Sequence, residues 1–281
     1  MAPKICVLGS VNLDLIIKTA TLPKAGETIG GGSYESQPGG KGANIALAAR
    51  RLGSEVELRA AVGSDSFAAQ ALTNLKEAGV DLSSLIHKDA HTGLAFINVD
   101  DHGENQIAVA AGANGAFMPD DLTPIEADAL VTQFEIPQET VLAAVKSFDG
   151  LTCLNASPVI EDLSPFLPHI DLLILNESEY EAYGQALDHY HGLMAVTFGA
   201  KGANLFREGD LLVQDRPPAV HVVDTTGAGD SFAAALTLAL IEGQSPSQAL
   251  NFACTVGALA TTRLGAQASC PSREMVATVN R

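Results

Sequence analysis

Short apolar runs alternate with longer stretches of helical periodicity along most of this chain. Residues 5–8, 151–154, 172–175 and 195–198 are continuous apolar or β-branched runs of strand length. Such runs suit strands buried on both faces. Residues 56–61 read as a further strand, and 127–134 contain another. Between them, 42–52, 66–77, 138–147, 232–241 and 249–262 carry the spacing of helices, with Gly79 closing the second. The apolar segment 220–223 reads as a strand running into the helix at 232–241. Residues 178–191 supply one crossover helix. A different rhythm marks 14–34, 95–99 and 106–110, which are short β-branched or glycine-bearing segments. The last two flank a turn at 100–104. Residues 205–207 and 211–213 form a second hairpin.

Alternating strands and helices predict an α/β fold: a three-layer α/β/α sandwich on a mostly parallel sheet, with a small separate β-sheet. The 281 residues fit a single domain over 1–281. The hairpin-like segments set apart a lid at roughly 12–38 and 93–112. Ligands on open α/β sheets sit at the carboxyl ends of the strands. Asn12, Asp14, 39–44, Glu135, Asn176, 197–199 and 224–230 all fall there.

Composition narrows the classes. A formal net charge of −17 disfavours nucleic acid as a partner. There is no Trp to act as a base-stacking platform. The four cysteines, Cys6, Cys153, Cys254 and Cys270, have no zinc or disulfide-framework spacing and fit a reducing, cytoplasmic setting. No apolar run reaches membrane-span length, so no membrane partner is expected. Asn176-Glu177-Ser178 matches a glycosylation acceptor pattern, but nothing in the chain points to secretion.

The richest chemistry lies in Asp224-Thr225-Thr226-Gly227-Ala228-Gly229-Asp230. A glycine-bearing turn opening a helix presents unpaired N–H groups and the positive end of the helix dipole. That end can hold a phosphate, and a carboxylate beside it can take a proton from an attacking hydroxyl. The same residue types also serve as ordinary helix caps. Gly39-Gly40-Lys41-Gly42-Ala43-Asn44 lets a backbone approach a ligand and adds one charge and one amide. It is not a phosphate-binding P-loop, because Lys41 precedes Gly42 rather than Ser or Thr. Asn12 and Asp14, two apart on a strand, share a face. With Asn44 they could read a polyhydroxy substrate.

Together these residues resemble the ribokinase-like, or PfkB, carbohydrate kinases. Seven segments carry the likeness in order: 9–14, 39–44, 103–106 with 111–114, 176–179, 197–202, 224–230 and 262–269. The resemblance implies that Asp14 holds sugar hydroxyls, with Asn12, Gly40, Lys41, Asn44 and Glu135 around the ring. Asp230 would be the general base, beside an anion hole at Gly227, Ala228 and Gly229. Asn176, Thr197, Gly199, Gly202, Gly229 and Cys254 would lie along the ATP site. Glu179 would act on Mg²⁺ through water. Asp224, Thr226, Ala260, Arg263, Gly265 and Ser269 would form a K⁺ site.

The implied reaction moves the γ-phosphate of ATP to the primary 5-hydroxyl of D-ribose. Fructose, another ketose or a nucleoside is the alternative acceptor; a binding regulator without turnover is the alternative from another class. Lid residues Ala95, Ile97, Ile107 and Val109 would shape the sugar pocket. A homodimer through the lid is also implied. One departure stands out: only 20 residues lie between Asn176 and Thr197, fewer than the family usually has.

Overall fold

The computed structural model describes residues 2–279. The strands are β1 (Lys4–Leu8), β2 (Asn12–Lys18), β3 (Ser33–Gly39), β4 (Glu55–Arg59), β5 (Ala61–Gly63), β6 (Ile86–Lys88), β7 (Gly93–Val99), β8 (Asn105–Ala110), β9 (Ala129–Thr132), β10 (Leu151–Asn155), β11 (Leu172–Asn176), β12 (Leu193–Thr197), β13 (Ala203–Arg207) and β14 (Asp210–Asp215). The helices are α1 (Lys41–Arg51), α2 (Ser66–Ala71), α3 (Thr73–Ala78), α4 (Gln138–Ser147), α5 (Glu177–Tyr183), α6 (Ala228–Ile241), α7 (Pro246–Leu259) and α8 (Arg273–Val279).

Eight strands form the main sheet in the order β14-β13-β12-β11-β10-β9-β1-β4. The six strands from β12 to β4 run parallel, and β13 and β14 close one edge as an antiparallel hairpin. Side-chain alternation divides the core into two layers. In β1, Ile5 and Val7 face one cluster with α1, α6 and α7, while Cys6 and Leu8 face the other with α4 and α5. Leu130, Leu154 and Leu173 repeat the second pattern on three neighbouring strands. Helix α6 is buried almost all round from Asp230 to Ala239, which explains its lack of a polar face.

A second sheet, β3-β2-β7-β8, stands beside the main one. Strand β2 pairs antiparallel with β3 and parallel with β7, which pairs antiparallel with β8. The registers Asp14↔Ala95, Ile16↔Ile97, Ala95↔Val109 and Ile97↔Ile107 put these residues on one face.

Some elements depart from expectation. Residues 220–223 form no strand. The Val223 and Asp224 N–H groups donate to the Thr261 carbonyl at 2.8 and 3.1 Å, so they make no sheet ladder. The helix expected over 66–77 is two helices meeting at Leu72, whose backbone is at φ −92° and ψ −2°. Gly79 closes the second as a left-handed cap at φ 74°. The strand expected over 56–61 divides at Ala60, and β5 turns away to pair with β6. Helix α7 begins earlier than expected because Ser245 and Gln248 form a capping box. The crossover after β11 keeps only the seven residues of α5 and one 3₁₀ turn, Gly184–Leu187.

Candidate active site

The carboxyl ends of β1, β9, β10, β11 and β12 meet the N-termini of α1 and α6. Lys41, Asn155, Asn176, Glu179, Thr197, Thr225, Gly227, Gly229 and Asp230 line a cleft of about 210 Å³ there. Asp230 is buried in the first turn of α6. Asn44 donates to its Oδ2 at 2.9 Å, and Asn155 Nδ2 lies 3.4 Å from its Oδ1. The helix before it starts from Gly227 at φ 76°. The Ala228 N–H is engaged with the Thr225 carbonyl at 3.2 Å. The N–H groups of Gly227, Gly229 and Asp230 donate to no acceptor among the described residues. These three, rather than 227–229 as a block, are free to meet an anion.

Burial pushes the Asp230 carboxyl above its ordinary value; Lys41 and the Asn44 bond pull it back, while Glu135 and Glu179 add to the rise. The adjacent helix N-terminus favours the ionised form, and burial opposes it. A raised carboxylate is also the stronger base. Burial opposes charge on Lys41, but Asp230, Glu135 and Glu179 outweigh it and hold its pKa above the ordinary value. Lys41 is the one basic side chain among the cleft-lining residues.

Glu135 is tied in place by Lys41 and by two residues to which the sequence reading gave no role, Ser10 and Gln133. Ser10 Oγ donates to its Oε2 at 2.5 Å, and the Lys41 N–H donates to the same oxygen at 3.1 Å. Gln133 Oε1 accepts from the Glu135 N–H at 2.5 Å. Asn12 is buried on β2, and Asn114 Nδ2 donates to its Oδ1 at 2.8 Å. Asp14 lies on the same strand against Gly39, whose lack of a side chain leaves room for the carboxylate. Gly40, at φ 90°, packs against the backbone of residues 10–12. Burial, then the Glu135 charge, lifts the Asp14 carboxyl to about 7.

That shift has a measurable sign. Between about pH 4 and 7 the folded state keeps a proton on Asp14 that the unfolded chain has released, so this group lowers stability as pH rises. Above about 7 the full penalty applies. We expect Asp14→Asn to raise the melting temperature of the ligand-free protein at pH 8 by about 2 °C or more. The gain should shrink as pH falls toward 4. An equal change at both pH values would contradict the assignment.

Asn176 and Glu179 form a reciprocal cap on α5, with bonds of 2.8 and 2.9 Å. Both line the cleft with Asp230. Thr197 sits beside Asn176 in the sheet register. Gly199 and Gly202, at φ 57° and 103°, shape the turn after β12, where Gly202 lies against the Asp215 backbone. Cys254 is buried in α7 within the core and, like Gly199 and Gly202, lies outside the cleft lining. Burial raises its thiol to about 12. All four cysteines are buried and free.

Behind the α6 terminus, two loops are tied together. Asp224 Oδ1 accepts from the Thr226 N–H and hydroxyl at 2.9 and 2.7 Å, and its Oδ2 accepts from the Gly265 N–H at 2.8 Å. Burial opposes charge on Asp224, but these bonds win and hold it below its ordinary value. Ser269 and Ala260 are buried in the same loop pair, and Arg263 is exposed. Among the described residues no three His, Cys, Asp or Glu side chains cluster as a metal cage.

Comparison with known proteins settles what this geometry belongs to. Residues 2–273 match the pfkB family carbohydrate kinase profile. The chain belongs to the pfkB family of carbohydrate kinases. The kinase is 37% identical to the ribokinase of Bacillus subtilis over 294 residues, covering 97% of each chain. It superimposes on Thermotoga maritima ribokinase with a TM-score of 0.91 at 31% identity, covering 99% of both. Arabidopsis thaliana ribokinase, in a complex with ribose and ATP, gives 0.88 at 30% identity, also covering 99% of both. The ribokinase-like α/β fold and the small second sheet are therefore shared along the whole chain, despite the short crossover at 177–192.

Proposed function

We propose that this kinase transfers the γ-phosphate of ATP to the primary 5-hydroxyl of D-ribose. The observation that carries the reading is the buried Asp230 carboxylate beside the free N–H groups of the α6 terminus. On one side, Asn12, Asp14, Asn44, Lys41 and Glu135 offer donors and acceptors to a polyhydroxy ring. On the other, Asn176, Thr197 and the turn at 199–202 lead away as the nucleotide groove. Asp230 takes the hydroxyl proton as the sugar oxygen bonds to phosphorus and the bond to ADP breaks. The amides of Gly227, Gly229 and Asp230, with Lys41, meet the charge on the transferring group. Little covalent work is left for the protein beyond holding the two substrates in line.

Glu179, Asn176 and Asp230 present oxygen-rich walls that suit Mg²⁺ carried in with its waters and the phosphates. When bound, Mg²⁺ neutralises phosphate charge. For the monovalent site, an ionised Asp224 between two tethered loops fits K⁺ held mostly by carbonyls, with Thr226, Ala260, Arg263, Gly265 and Ser269 around it. The loops back onto the anion-binding turn, so the ion would fix that turn's geometry.

The lid leaves Ile107 and Val109, at 58% and 60% exposure, on the face that carries Asp14. We assign that apolar face to a second copy of the chain, as a homodimer through the lid. A monomer in sedimentation would remove this assignment. Four free buried thiols fit a cytoplasmic setting. No helix among the described residues is long and apolar enough to cross a membrane.

The test is ADP release with Mg-ATP against ribose, deoxyribose, fructose, tagatose and nucleosides, run in KCl and in NaCl. Ribose should give the highest kcat/KM, and K⁺ should activate over Na⁺. Turnover on another acceptor would keep the mechanism and move the substrate. Sugar or nucleotide binding by calorimetry without turnover would favour a regulator. Equal rates in the two salts would remove the cation site.

A further inference from the structure

Asn114 is buried, with 1% exposure, where the strands of the lid leave the main body. It is 102 residues from Asn12 in sequence and belongs to no strand or α-helix. Its three hydrogen bonds are good ones. The Val11 N–H donates to Oδ1 at 3.0 Å; Nδ2 donates to the Val11 carbonyl at 3.1 Å and to Asn12 Oδ1 at 2.8 Å.

Chemistry alone fixes the direction of each bond. A backbone N–H can only donate, so the Asn114 atom facing it must be oxygen. The other end is then NH₂, and it faces both a carbonyl and Asn12. Two NH₂ groups cannot bond each other, so Asn12 must turn its oxygen to Asn114. The Asn12 NH₂ is left pointing away from this pin.

A second observation supports the pin. Gly93 is paired with Asn12 in the lid sheet, and a Cβ there would collide with Asn114 Nδ2 and Asn12 Oδ1 together. The missing side chain makes room for this one contact.

We propose that Asn114 is a positioning residue that locks Asn12 as a hydrogen-bond donor toward the sugar. Asn12 then donates to a sugar oxygen, while Asp14, when ionised, only accepts. The site acquires a fixed donor–acceptor polarity instead of an amide able to flip. This inference rests on the sugar-kinase reading, in which Asn12 touches the acceptor substrate.

Asn114→Asp tests it. Burial delays ionisation of the new carboxyl, so the kinetics are run at about pH 9, where the ionised group cannot donate to Asn12 Oδ1 and Asn12 flips to present its oxygen to the sugar. The KM for ribose should rise about 10–100-fold, the effect of one mismatched buried hydrogen bond. The KM for ATP and kcat at saturating sugar should stay within about threefold of wild type, a split that general destabilisation does not produce. An unchanged KM for ribose, or an equal loss in all three constants, overturns the proposal. If Asn114→Asp does not give a cooperative thermal melt, Asn12→Asp carries the test. Its carboxylate still accepts from Asn114 but offers the sugar no donor, so ribose KM should rise by a similar factor. Ribose KM within about threefold of wild type in Asn12→Asp would end the idea. Wild-type silence on every sugar would instead reject the kinase reading itself.

Discussion

Asp230→Asn should lower kcat by about 10²–10⁴-fold, the usual contribution of a general base, while leaving sugar and ATP affinities nearly unchanged. The substitution preserves shape. Its oxygen can still accept from Asn44, but its new NH₂ would face the Asn155 amide, which lies 3.4 Å from the present carboxylate. What is lost is the proton acceptor. The pH profile gives an independent reading. Burial raises the Asp230 carboxyl, and the base must be ionised to act, so kcat should fall as pH falls through that raised value. Saturating sugar matters here, because Asp14 also titrates near 7 in the free protein and would mix into kcat/KM. The acid limb of kcat should lie above the ordinary aspartate range and vanish in Asp230→Asn. Near-normal turnover in the variant would reject the role outright.

Charge shows why the cleft is built from amides. The whole chain carries a formal −17, and the cleft holds Asp230 and Glu179 with Lys41 as its basic side chain. A triphosphate would meet repulsion from the side chains alone. Free N–H groups at the α6 terminus supply positive potential without adding another titratable side chain.

Much of this was legible in the chain because it is local. Strands β1, β10 and β11 declare themselves by apolar runs, and α4 by its period. The turn from Asp224 to Asp230 announces itself by glycines before a carboxylate. What stayed hidden depends on distant partners. The run at 220–223 has strand composition, but the Val223 N–H at its end finds Thr261, on a loop 38 residues later. Ser10, Gln133 and Asn155 are ordinary polar residues at strand ends, and Asn114 is one on the 3₁₀ turn after β8. Their importance comes from bonds to Glu135, Asn12 and Asp230 that span 75 to 125 residues, apart from the neighbouring Gln133–Glu135 pair. No local pattern encodes such a bond. Signals were available: Ser10 and Asn114 fall inside the family-like segments 9–14 and 111–114, and Gln133 and Asn155 lie at the carboxyl ends of strands, where ligands bind.

The two glycines of the turn proposed to bind the anion, Gly227 and Gly229, should respond in opposite ways in stability to the same substitution. Gly227 has φ 76°, a conformation that costs an L-residue roughly 1–2 kcal/mol. A Cβ there would also lie 2.6 Å from Ala266 Cβ and 2.9 Å from Ala266 Cα. Ala266 follows Gly265, whose N–H is held by Asp224, so the neighbour cannot retreat without disturbing the paired loops. Gly227→Ala should therefore lower the melting temperature and rotate the free amides out of line. We expect kcat/KM for ATP to fall about 10²-fold, the scale of an ångström misplacement, with sugar affinity intact. Gly229 lies inside the first turn of α6 with ordinary φ, and its added Cβ would meet nothing within 4 Å. Gly229→Ala should keep or raise the melting temperature, since Ala is the better helix former by about 1 kcal/mol. It should nonetheless weaken ATP, because the open space its methyl enters is the cleft itself. Thermal melts and ATP kinetics on the two variants separate backbone conformation from ligand approach. Full ATP kinetics in Gly229→Ala would move the phosphate away from this turn, and full stability in Gly227→Ala would show that the Ala266 loop yields.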